Sequence, residues 1–403
     1  MDYLETISEL SRRTPSKILM LVLDGLGGLP VKELGGKTEL EAARSPNMDK
    51  LARVGALGLH DPIGTGITPG SGPAHFGLFG YDALEWNMGR GVLETLGIGF
   101  DLKEGDVAVR TNFCTLDGKG VITDRRAGRI PTSECARLCD MLDKKIKLPG
   151  IKTFVRPVRD YRGAVVLRAK GLGANVDDTD PQVVGKKPLT AAGKDAASRK
   201  TAKLLNEVVK QTNRIIKNEK PANGMLLRGI SSYKKYPSFE DIYKLRAACI
   251  AVYPMYRGVS RLVGMDLVGQ PETLAEEISV LKDAWDDYDF FFLHFKYTDS
   301  KGEDGDAPGK VKEVEKFDKQ LPKILKLKPD VVIITGDHST PTQLKSHSWH
   351  PVPLLLAGPS LRADTGKKFG ETECAAGSLG RIKATGIMPL AMAHANKLLK
   401  FGA

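Results

Sequence analysis

Short, continuous runs of apolar residues recur towards both ends of the chain, and each run is closed by polar or glycine residues. These runs occupy Ile18–Leu23, 290–293, Val331–Thr335 and 351–357. Uninterrupted apolar strands of this length are typical of a sheet that helices cover on both faces. Segments with helical apolar spacing alternate with them, at 47–54, 271–283 and 310–327. The alternation predicts a doubly wound α/β core.

The middle of the chain has a different pattern. It is basic and rich in turns, with shorter strand candidates at 164–167 and 224–227 and a long amphipathic helix at 190–217. The apolar strands that resemble those of the core resume only after it. We therefore predict a second, smaller α/β domain inserted into the first, with the core at 1–111 and 249–403 and the insert at 112–248.

The composition is that of an ordinary globular protein. Of 403 residues, 41% are apolar and 27% are charged, which excludes disordered, collagen-like and coiled-coil classes. No apolar run approaches the roughly 20 residues of a membrane helix, and residues 1–14 lack the apolar core of a signal peptide. Five cysteines without C-x-x-C spacing indicate neither a disulfide framework nor a zinc site. We expect a cytoplasmic protein without a membrane partner.

The formal net charge of +11 favours anionic partners, which include nucleic acid, acidic lipid surfaces and phosphorylated small molecules. The positive charge is concentrated at 141–170, a segment that contains nine Lys and Arg residues but only two Asp residues. Aromatic residues are only 6% of the chain, which argues against a surface that stacks nucleic-acid bases. We therefore expect no nucleic-acid partner, and a solvated basic face is the alternative explanation of the charge.

Ionisable side chains follow several of the apolar strands. Asp24 follows the first strand, Asp299 and its neighbour His294 follow another, and Asp337 and His338 follow a third. In open α/β sheets the ligand site lies beyond the carboxyl ends of the strands, and a carboxylate buried there needs a partner or a metal. A single such aspartate is usually a turn residue, but three of them with nearby histidines predict a metal centre. Mixed Asp and His ligands suit Zn²⁺ or Mn²⁺ better than Ca²⁺.

A loop rich in glycine and proline, at 62–73, ends near Ser71, and a short helix is predicted at 74–80. A hydroxyl at a helix N-terminus meets free N–H groups and the positive end of the helix dipole, which favours phosphate binding. Taken alone, such a serine is more often a helix cap than a nucleophile. Beside two metal ions it becomes a candidate for attack on phosphorus, because a divalent cation can hold it as an alkoxide at neutral pH.

Nine segments of the chain together resemble the archaeal-type cofactor-independent phosphoglycerate mutases of the alkaline phosphatase superfamily. They include LVLDGLG (21–27), PGSGPAHFGLFGYD (69–82), DRRAGRI (124–130), HFKYTDSKGEDGD (294–306) and TGDHSTPTQLKSHSWHPVPLLL (335–356). Their order and spacing agree from about residue 17 to 395. The resemblance implies an alkaline-phosphatase-like core sheet with an inserted domain. It also implies two divalent metals, Mn²⁺ or Zn²⁺ with Mg²⁺ or Co²⁺ as alternatives, and no requirement for 2,3-bisphosphoglycerate.

The resemblance assigns roles to individual residues. Ser71 is implied to be the nucleophile that becomes phosphorylated. The ligands of its metal are implied to be Asp24, Ser71, Asp337 and His338, and those of the second metal Asp299, Glu303 and His347. Lys296 is expected to neutralise the transferring phosphoryl group. The arginines expected to bind the phosphate and carboxylate of the substrate are Arg125, Arg126, Arg129, Arg228 and Arg257.

Three departures from the family pattern leave the activity open. Glu303 stands where relatives have a histidine, Gly72 and Pro73 replace an Asp-Thr pair after the serine, and 307–309 reads Ala-Pro-Gly at a helix start. The predicted function is interconversion of 3-phosphoglycerate and 2-phosphoglycerate, a step of glycolysis and gluconeogenesis, through a phosphoserine. The alternatives are a metal-dependent hydrolase of phosphomonoesters or phosphonates, and a non-catalytic relative that binds a phosphorylated metabolite. The sequence does not decide whether the chain self-associates.

Overall fold

The computed structural model of the chain describes residues 3–86 and 89–402. Strands are numbered in chain order: β1 (Ile18–Leu23), β2 (Ala56–Asp61), β3 (Val107–Leu116), β4 (Ile122–Asp124), β5 (Lys152–Arg159), β6 (Arg162–Arg168), β7 (Gly224–Ser232), β8 (Ala247–Ala251), β9 (Asp266–Leu267), β10 (Phe290–Phe295), β11 (Val331–Thr335), β12 (Val352–Ala357) and β13 (Gly380–Lys383). The α-helices are α1 (Tyr3–Leu10), α2 (Glu39–Ala42), α3 (Pro46–Ala52), α4 (Ser71–Leu78), α5 (Arg90–Gly97), α6 (Thr132–Lys145), α7 (Ala196–Ile215), α8 (Phe239–Tyr243), α9 (Pro254–Leu262), α10 (Leu274–Asp283), α11 (Tyr297–Asp304), α12 (Ala307–Leu325), α13 (Glu371–Ala375) and α14 (Ile387–His394).

The chain divides into two compact units, a core unit of Met1–Asn87 with Pro237–Ala403 and an inserted unit of Met88–Tyr236. The junctions expected from the sequence, at 111/112 and 248/249, fall inside β3 and β8. The N-terminal limit differs most, because the expected junction assigns the first half of β3 to the core. In the structure β3 pairs with β4, β6 and β7 of the inserted unit.

The core unit is built on an eight-stranded sheet in the order β13-β2-β12-β11-β1-β10-β8-β9. Its centre is parallel, with β1 between β11 and β10, and every residue of these three strands is buried. β12 runs antiparallel to both of its neighbours, so the sheet is mixed. Apolar side chains of the central strands pack against helices that include α10 and α12. The predicted α/β core is confirmed.

The strand register brings the chemically active segments to one edge of the core sheet. Leu23 of β1 is level with Phe295 of β10, and Val22 is level with Thr335 of β11. Because the three strands are parallel, their carboxyl ends lie side by side. The residues that follow, at 24, 296 and 337–338, therefore converge at this edge.

The inserted unit has a five-stranded sheet in which β3 pairs with β4, β6 and β7, and β5 pairs with β6. Its buried cluster joins this sheet to α6 and α7. The long helix expected at 190–217 is α7, whose start is capped by the Asp195 side chain accepting a hydrogen bond from the Ser198 N–H. Among the described residues, none of the helices has the length and apolar character needed to cross a bilayer.

A carboxyl group at the start of α13 predicts a specific pH dependence of stability. Glu371 accepts hydrogen bonds from the Gly28 N–H (2.9 Å) and the Thr38 hydroxyl (2.6 Å), and burial raises its pKa from 4.5 to about 7. The folded protein therefore binds more protons than the unfolded chain between these two values. We expect this group to lower the free energy of unfolding by about 2 kcal/mol as pH rises from 4.5 to 7.

The measurement is chemical denaturation across this pH range on the wild type and Glu371→Gln. The variant should lose this component of the pH dependence, because the amide does not titrate. Glu373→Gln, two residues further along the same helix, serves as the control and should keep the wild-type slope. An identical slope in wild type and Glu371→Gln would contradict the assignment.

Candidate active site

Two strand ends and one helix start bring four polar groups to a single point in the core unit. The Nε2 atom of His338 lies 3.3 Å from Asp24 Oδ1, 3.2 Å from Asp337 Oδ2 and 3.3 Å from Ser71 Oγ. The two aspartates and His338 are fully buried. We call Asp24, Ser71, Asp337 and His338 the serine cluster.

The serine cluster has the donor set and spacing that a divalent cation requires. Asp24 Oδ1 and Asp337 Oδ2 are buried, and neither has a hydrogen-bond partner among the described residues. Asp24, Asp337 and His338 form a group whose ligand atoms lie close enough to share one ion. Separations of 3.2–3.3 Å match the edges of a tetrahedron with metal–ligand distances of about 2.0 Å, the distance typical of zinc with nitrogen and oxygen ligands. The donor atoms of the serine cluster and their separations therefore fit a divalent metal ion.

The outer oxygens of the two carboxylates are held by neighbouring groups, which turns the inner oxygens towards His338. Asp24 Oδ2 accepts a hydrogen bond from the Tyr256 hydroxyl, and Asp337 Oδ1 accepts one from the Gly25 N–H at 3.1 Å. Burial raises the pKa of Asp337 well above its usual value, and the charge of Asp24 acts in the same direction. Burial opposes ionisation of Asp24 as well, but Lys296 and the nearby histidines hold its pKa below the usual value. One of the two carboxylates is thus strongly disfavoured as an anion without a cation.

Ser71 is the first residue of α4, which begins three residues earlier than the helix expected at 74–80. The residue in the cap position is Gly70, and the Ser71 side chain makes no capping hydrogen bond. Its Oγ instead faces His338 Nε2. Ser71 is therefore not the cap of α4, and its hydroxyl is free of that role within the serine cluster.

A second group of ligand atoms lies beside the first. Asp299 Oδ1 is 3.7 Å from His347 Nε2, and the imidazole of His347 stacks on that of His338 with ring centroids 3.6 Å apart. His347 Nδ1 lies 3.0 Å from the Pro69 carbonyl, so it is the donor and Nε2 carries the free lone pair. Asp299, His338 and His347 form another group able to share one ion. The structure thus brings two of the three predicted ligands of the second metal together.

Glu303 follows Asp299 by one turn of α11, and its side chain is exposed. Partial desolvation of the carboxyl group raises its pKa, and the charge of Asp299 adds to the effect. Among the described residues, Glu303 belongs to none of the groups whose ligand atoms already lie close enough to share an ion. Its carboxylate therefore lies near the second group but does not belong to it.

Lys296 lies between the two groups. Its Nζ is 3.0 Å from Asp24 Oδ2 and also contacts Asp299 Oδ2. Burial alone would lower the pKa of this amine, but the two carboxylates raise it above its usual value. Lys296 therefore stays a cation beside the serine cluster.

The site also contains residues to which the sequence reasoning gave no role or only a supporting one. His75 lies one turn after Ser71, and its Nδ1 donates to the Ser71 carbonyl at 2.7 Å. Tyr256 stacks on His294, with centroids 3.7 Å apart. The spacing of four residues on one helix was a usable signal for His75. No residue pattern in the sequence marked Tyr256. The same is true of Thr340, which contacts Asp299 and His338.

The predicted substrate arginines are in three settings. Arg125 forms a bidentate ion pair with the buried Asp180, with N···O distances of 2.9 and 2.7 Å, and Arg228 lies 3.6 Å from the same carboxylate. Arg126 and Arg129 are exposed on a loop where residues 127–129 have positive φ angles. Arg257 belongs to the core unit and donates to the Ala251 carbonyl. Within the inserted unit, Arg125 and Arg228 are thus gathered around one carboxylate.

Comparison with known proteins agrees with this geometry. A family model described as 2,3-bisphosphoglycerate-independent phosphoglycerate mutase matches residues 52–223. A probable 2,3-bisphosphoglycerate-independent phosphoglycerate mutase from Thermus thermophilus is 51% identical over 407 residues, which span the whole of both chains. The chain belongs to this family. The resemblance stated from the sequence motifs is confirmed.

Solved structures of similar proteins support the assignment to the phosphoglycerate mutases. A protein from Pyrococcus horikoshii is 36% identical with a TM-score of 0.82, covering 96% of this chain and 99% of its own. The cofactor-independent phosphoglycerate mutase from Thermoplasma acidophilum is 29% identical with a TM-score of 0.69, covering 94% of this chain and 100% of its own. The predicted α/β fold class is therefore confirmed over nearly the whole chain.

One departure from the mutase pattern has little effect on the fold. The Ala-Pro-Gly segment at 307–309 forms the first turn of α12, with the Asp306 side chain accepting from the Gly309 N–H at 2.9 Å. Proline is tolerated in the first turn, because its missing N–H has no partner there. The Ala-Pro-Gly segment is therefore compatible with a capped helix start at this position.

Proposed function

We propose that the chain interconverts 3-phosphoglycerate and 2-phosphoglycerate through a phosphoserine at Ser71, with two divalent cations. The observation that carries this proposal is the position of the Ser71 hydroxyl within hydrogen-bond distance of His338, in a cluster with two buried carboxylates. The serine cluster is proposed to hold one cation. Asp299 and His347 are proposed to hold the other, with the Glu303 carboxylate as a further ligand. Mn²⁺ and Zn²⁺ are the proposed ions, because both accept mixed oxygen and nitrogen ligands.

Bound divalent cations would lower the pKa of the Ser71 hydroxyl and offset the negative charge of the phosphoryl group. Two groups of the chain itself add positive potential for the phosphoryl group. Ser71 opens α4, so the helix dipole presents its positive end to a phosphoryl group on the hydroxyl. The Lys296 ammonium, held beside Asp24 and Asp299, provides a cation for the oxygens of that group.

The second half of the reaction returns the phosphoryl group from Ser71 to the 2-hydroxyl of the glycerate. For this, the glycerate must stay bound and water must not attack the phosphoserine. Arginine is suited to holding phosphate and carboxylate, because its guanidinium binds either in a bidentate manner. We propose this role for Arg125, Arg126, Arg129, Arg228 and Arg257.

The test is a product assay with 3-phosphoglycerate and added Mn²⁺. We expect 2-phosphoglycerate as the main product, with free phosphate below a few per cent of turnover. Free phosphate as the main product would instead identify the hydrolase alternative. Absence of both products, together with no bound cation after Mn²⁺ or Zn²⁺ supplementation, would identify the non-catalytic relative.

The hydrolase is the second candidate, and one local feature favours it. Gly72 and Pro73 follow the nucleophile and offer no polar side chain, so they cannot orient the glycerate. A glycerate held less firmly leaves the phosphoserine to water. The ratio of 2-phosphoglycerate to free phosphate in the same assay therefore measures how well the other residues of the site hold the glycerate without polar side chains at positions 72 and 73.

A further inference from the structure

Thr340 is held in one orientation by contacts on every side. Its N–H donates to the Gly27 carbonyl at 3.1 Å, and its carbonyl accepts from the Nζ of Lys310 at 2.9 Å. Lys310 reaches it from α12 and is fully buried. The methyl group of Thr340 packs against Gly302, where an added Cβ would lie only 2.7 Å away. The position of the Thr340 hydroxyl is thus fixed by the surrounding core.

That hydroxyl bridges the two groups of ligand atoms. Thr340 Oγ1 lies 2.8 Å from Asp299 Oδ1 and 3.0 Å from His338 Nδ1. The Asp299 carboxylate, which is ion-paired with Lys296, can only accept, so the single hydroxyl hydrogen points to it. The oxygen then offers a lone pair to His338, and Nδ1 of that ring must be the donor.

We infer that Thr340 is a positioning residue that fixes His338 as the Nδ1–H tautomer and ties the ligand group of Asp299 to the serine cluster. With its proton on Nδ1, His338 presents the lone pair of Nε2 to Asp24, Asp337 and Ser71. This lone pair is what a metal ligand needs. The same hydroxyl orients Asp299 Oδ1. The inference deepens the proposed function and rests on its two cation sites.

The fold makes room for this bridge at a second glycine. Gly25 has a φ of +62°, and an added Cβ there would lie 2.6 Å from Thr340 Oγ1 and 2.8 Å from Asp299 Oδ1. The turn after β1 therefore passes directly over the Thr340–Asp299 hydrogen bond. A side chain at this position would displace the bridge, and the positive φ disfavours one in any case.

The first test compares Thr340→Val, which keeps the shape and removes the hydroxyl, with Thr340→Ser, which keeps the hydroxyl. Mn²⁺ alone is titrated into the metal-free proteins by calorimetry. We expect Thr340→Val to bind Mn²⁺ about 10- to 100-fold more weakly than wild type, and Thr340→Ser to be within about threefold of it. Wild-type affinity in Thr340→Val, or equal losses in both variants, would overturn the inference.

The second test needs no variant of Thr340 and no metal. Long-range ¹H–¹⁵N correlation spectra of metal-free wild type with labelled histidine report which ring nitrogen carries the proton, and His338→Gln assigns the signals. The inference requires the Nδ1–H form of His338, and the Nε2–H form would overturn it. If wild type shows the Nδ1–H form yet binds no Mn²⁺, the positioning of His338 stands and the proposed function fails.

Discussion

Ser71→Ala is expected to reduce the conversion of 3-phosphoglycerate to 2-phosphoglycerate by at least about 10³-fold in kcat. The reason is that Ser71 Oγ is the only hydroxyl of the serine cluster, and the proposed route passes through it. The variant should fold normally, because Ser71 makes no capping bond that the helix depends on. Steady-state assays with Mn²⁺, and mass spectrometry for a phosphorylated peptide containing residue 71, check the two parts of this expectation.

The matched control is Ser346→Ala. Ser346 is an exposed serine of the core unit whose hydroxyl contacts only the nearby Leu344 carbonyl in the hydrogen bonds described. It should keep wild-type turnover and the phosphopeptide of residue 71. Retention of more than about a tenth of the wild-type kcat in Ser71→Ala would show that the phosphoryl group is transferred without this nucleophile.

Asp337→Asn is expected to lower Mn²⁺ binding and activity without lowering the stability of the metal-free protein. Burial and the neighbouring Asp24 raise the pKa of Asp337, so an amide of the same shape removes an unfavourable charge. Its nitrogen can also donate to Asp24, whose Oδ1 is without a partner among the described residues. We expect the free energy of unfolding without metal to be equal to wild type or higher by about 1 kcal/mol.

The same change removes a proposed metal ligand, so Mn²⁺ affinity should fall at least about 100-fold and mutase activity should fall with it. Denaturation with and without Mn²⁺ measures both effects, since an ion bound only by the folded protein raises its stability. In wild type the stability gain on adding Mn²⁺ should be clear, and in Asp337→Asn it should be smaller, because the serine cluster has lost a proposed ligand while the second site keeps its own.

Asp364→Asn provides the opposite control. Asp364 accepts hydrogen bonds from the N–H groups of Leu57 (2.6 Å) and Ser378 (3.0 Å), far in sequence from the ligands. This variant should lose about 1 kcal/mol of stability, because the amide replaces a charged acceptor, yet respond to Mn²⁺ as wild type does. If Asp337→Asn destabilised the metal-free protein and still gained as much stability from Mn²⁺ as wild type does, both the charge argument and the ligand assignment would be wrong.

Much of the site could be expected from the sequence because strand ends are visible in it. Apolar runs that end in Asp24 and in Asp337-His338 identify buried strands, and parallel strands bring their carboxyl ends to one edge. That reasoning required no knowledge of side-chain direction. It correctly predicted that these residues meet, the glycine- and proline-rich loop pointed to Ser71, and the family motifs added His347.

Other parts of the site depend on side-chain directions that no sequence pattern records. Thr340 reads as one polar residue among several in the segment after β11. Its importance follows from an orientation set by Lys310 and Gly302, which are distant from it along the chain and contact it only in the folded protein. The predicted junction at 111/112 meets the same limit, because it falls inside β3 and only the pairing partners of that strand show which sheet it belongs to.

The contact of Lys296 with Asp24 and Asp299 has a consequence for how the protein matures. The ammonium places one positive charge between the two carboxylates and so reduces their repulsion in the protein without metal. We therefore expect the chain to fold before it takes up metal. On the proposed function, the active enzyme would then form when metal reaches the folded protein.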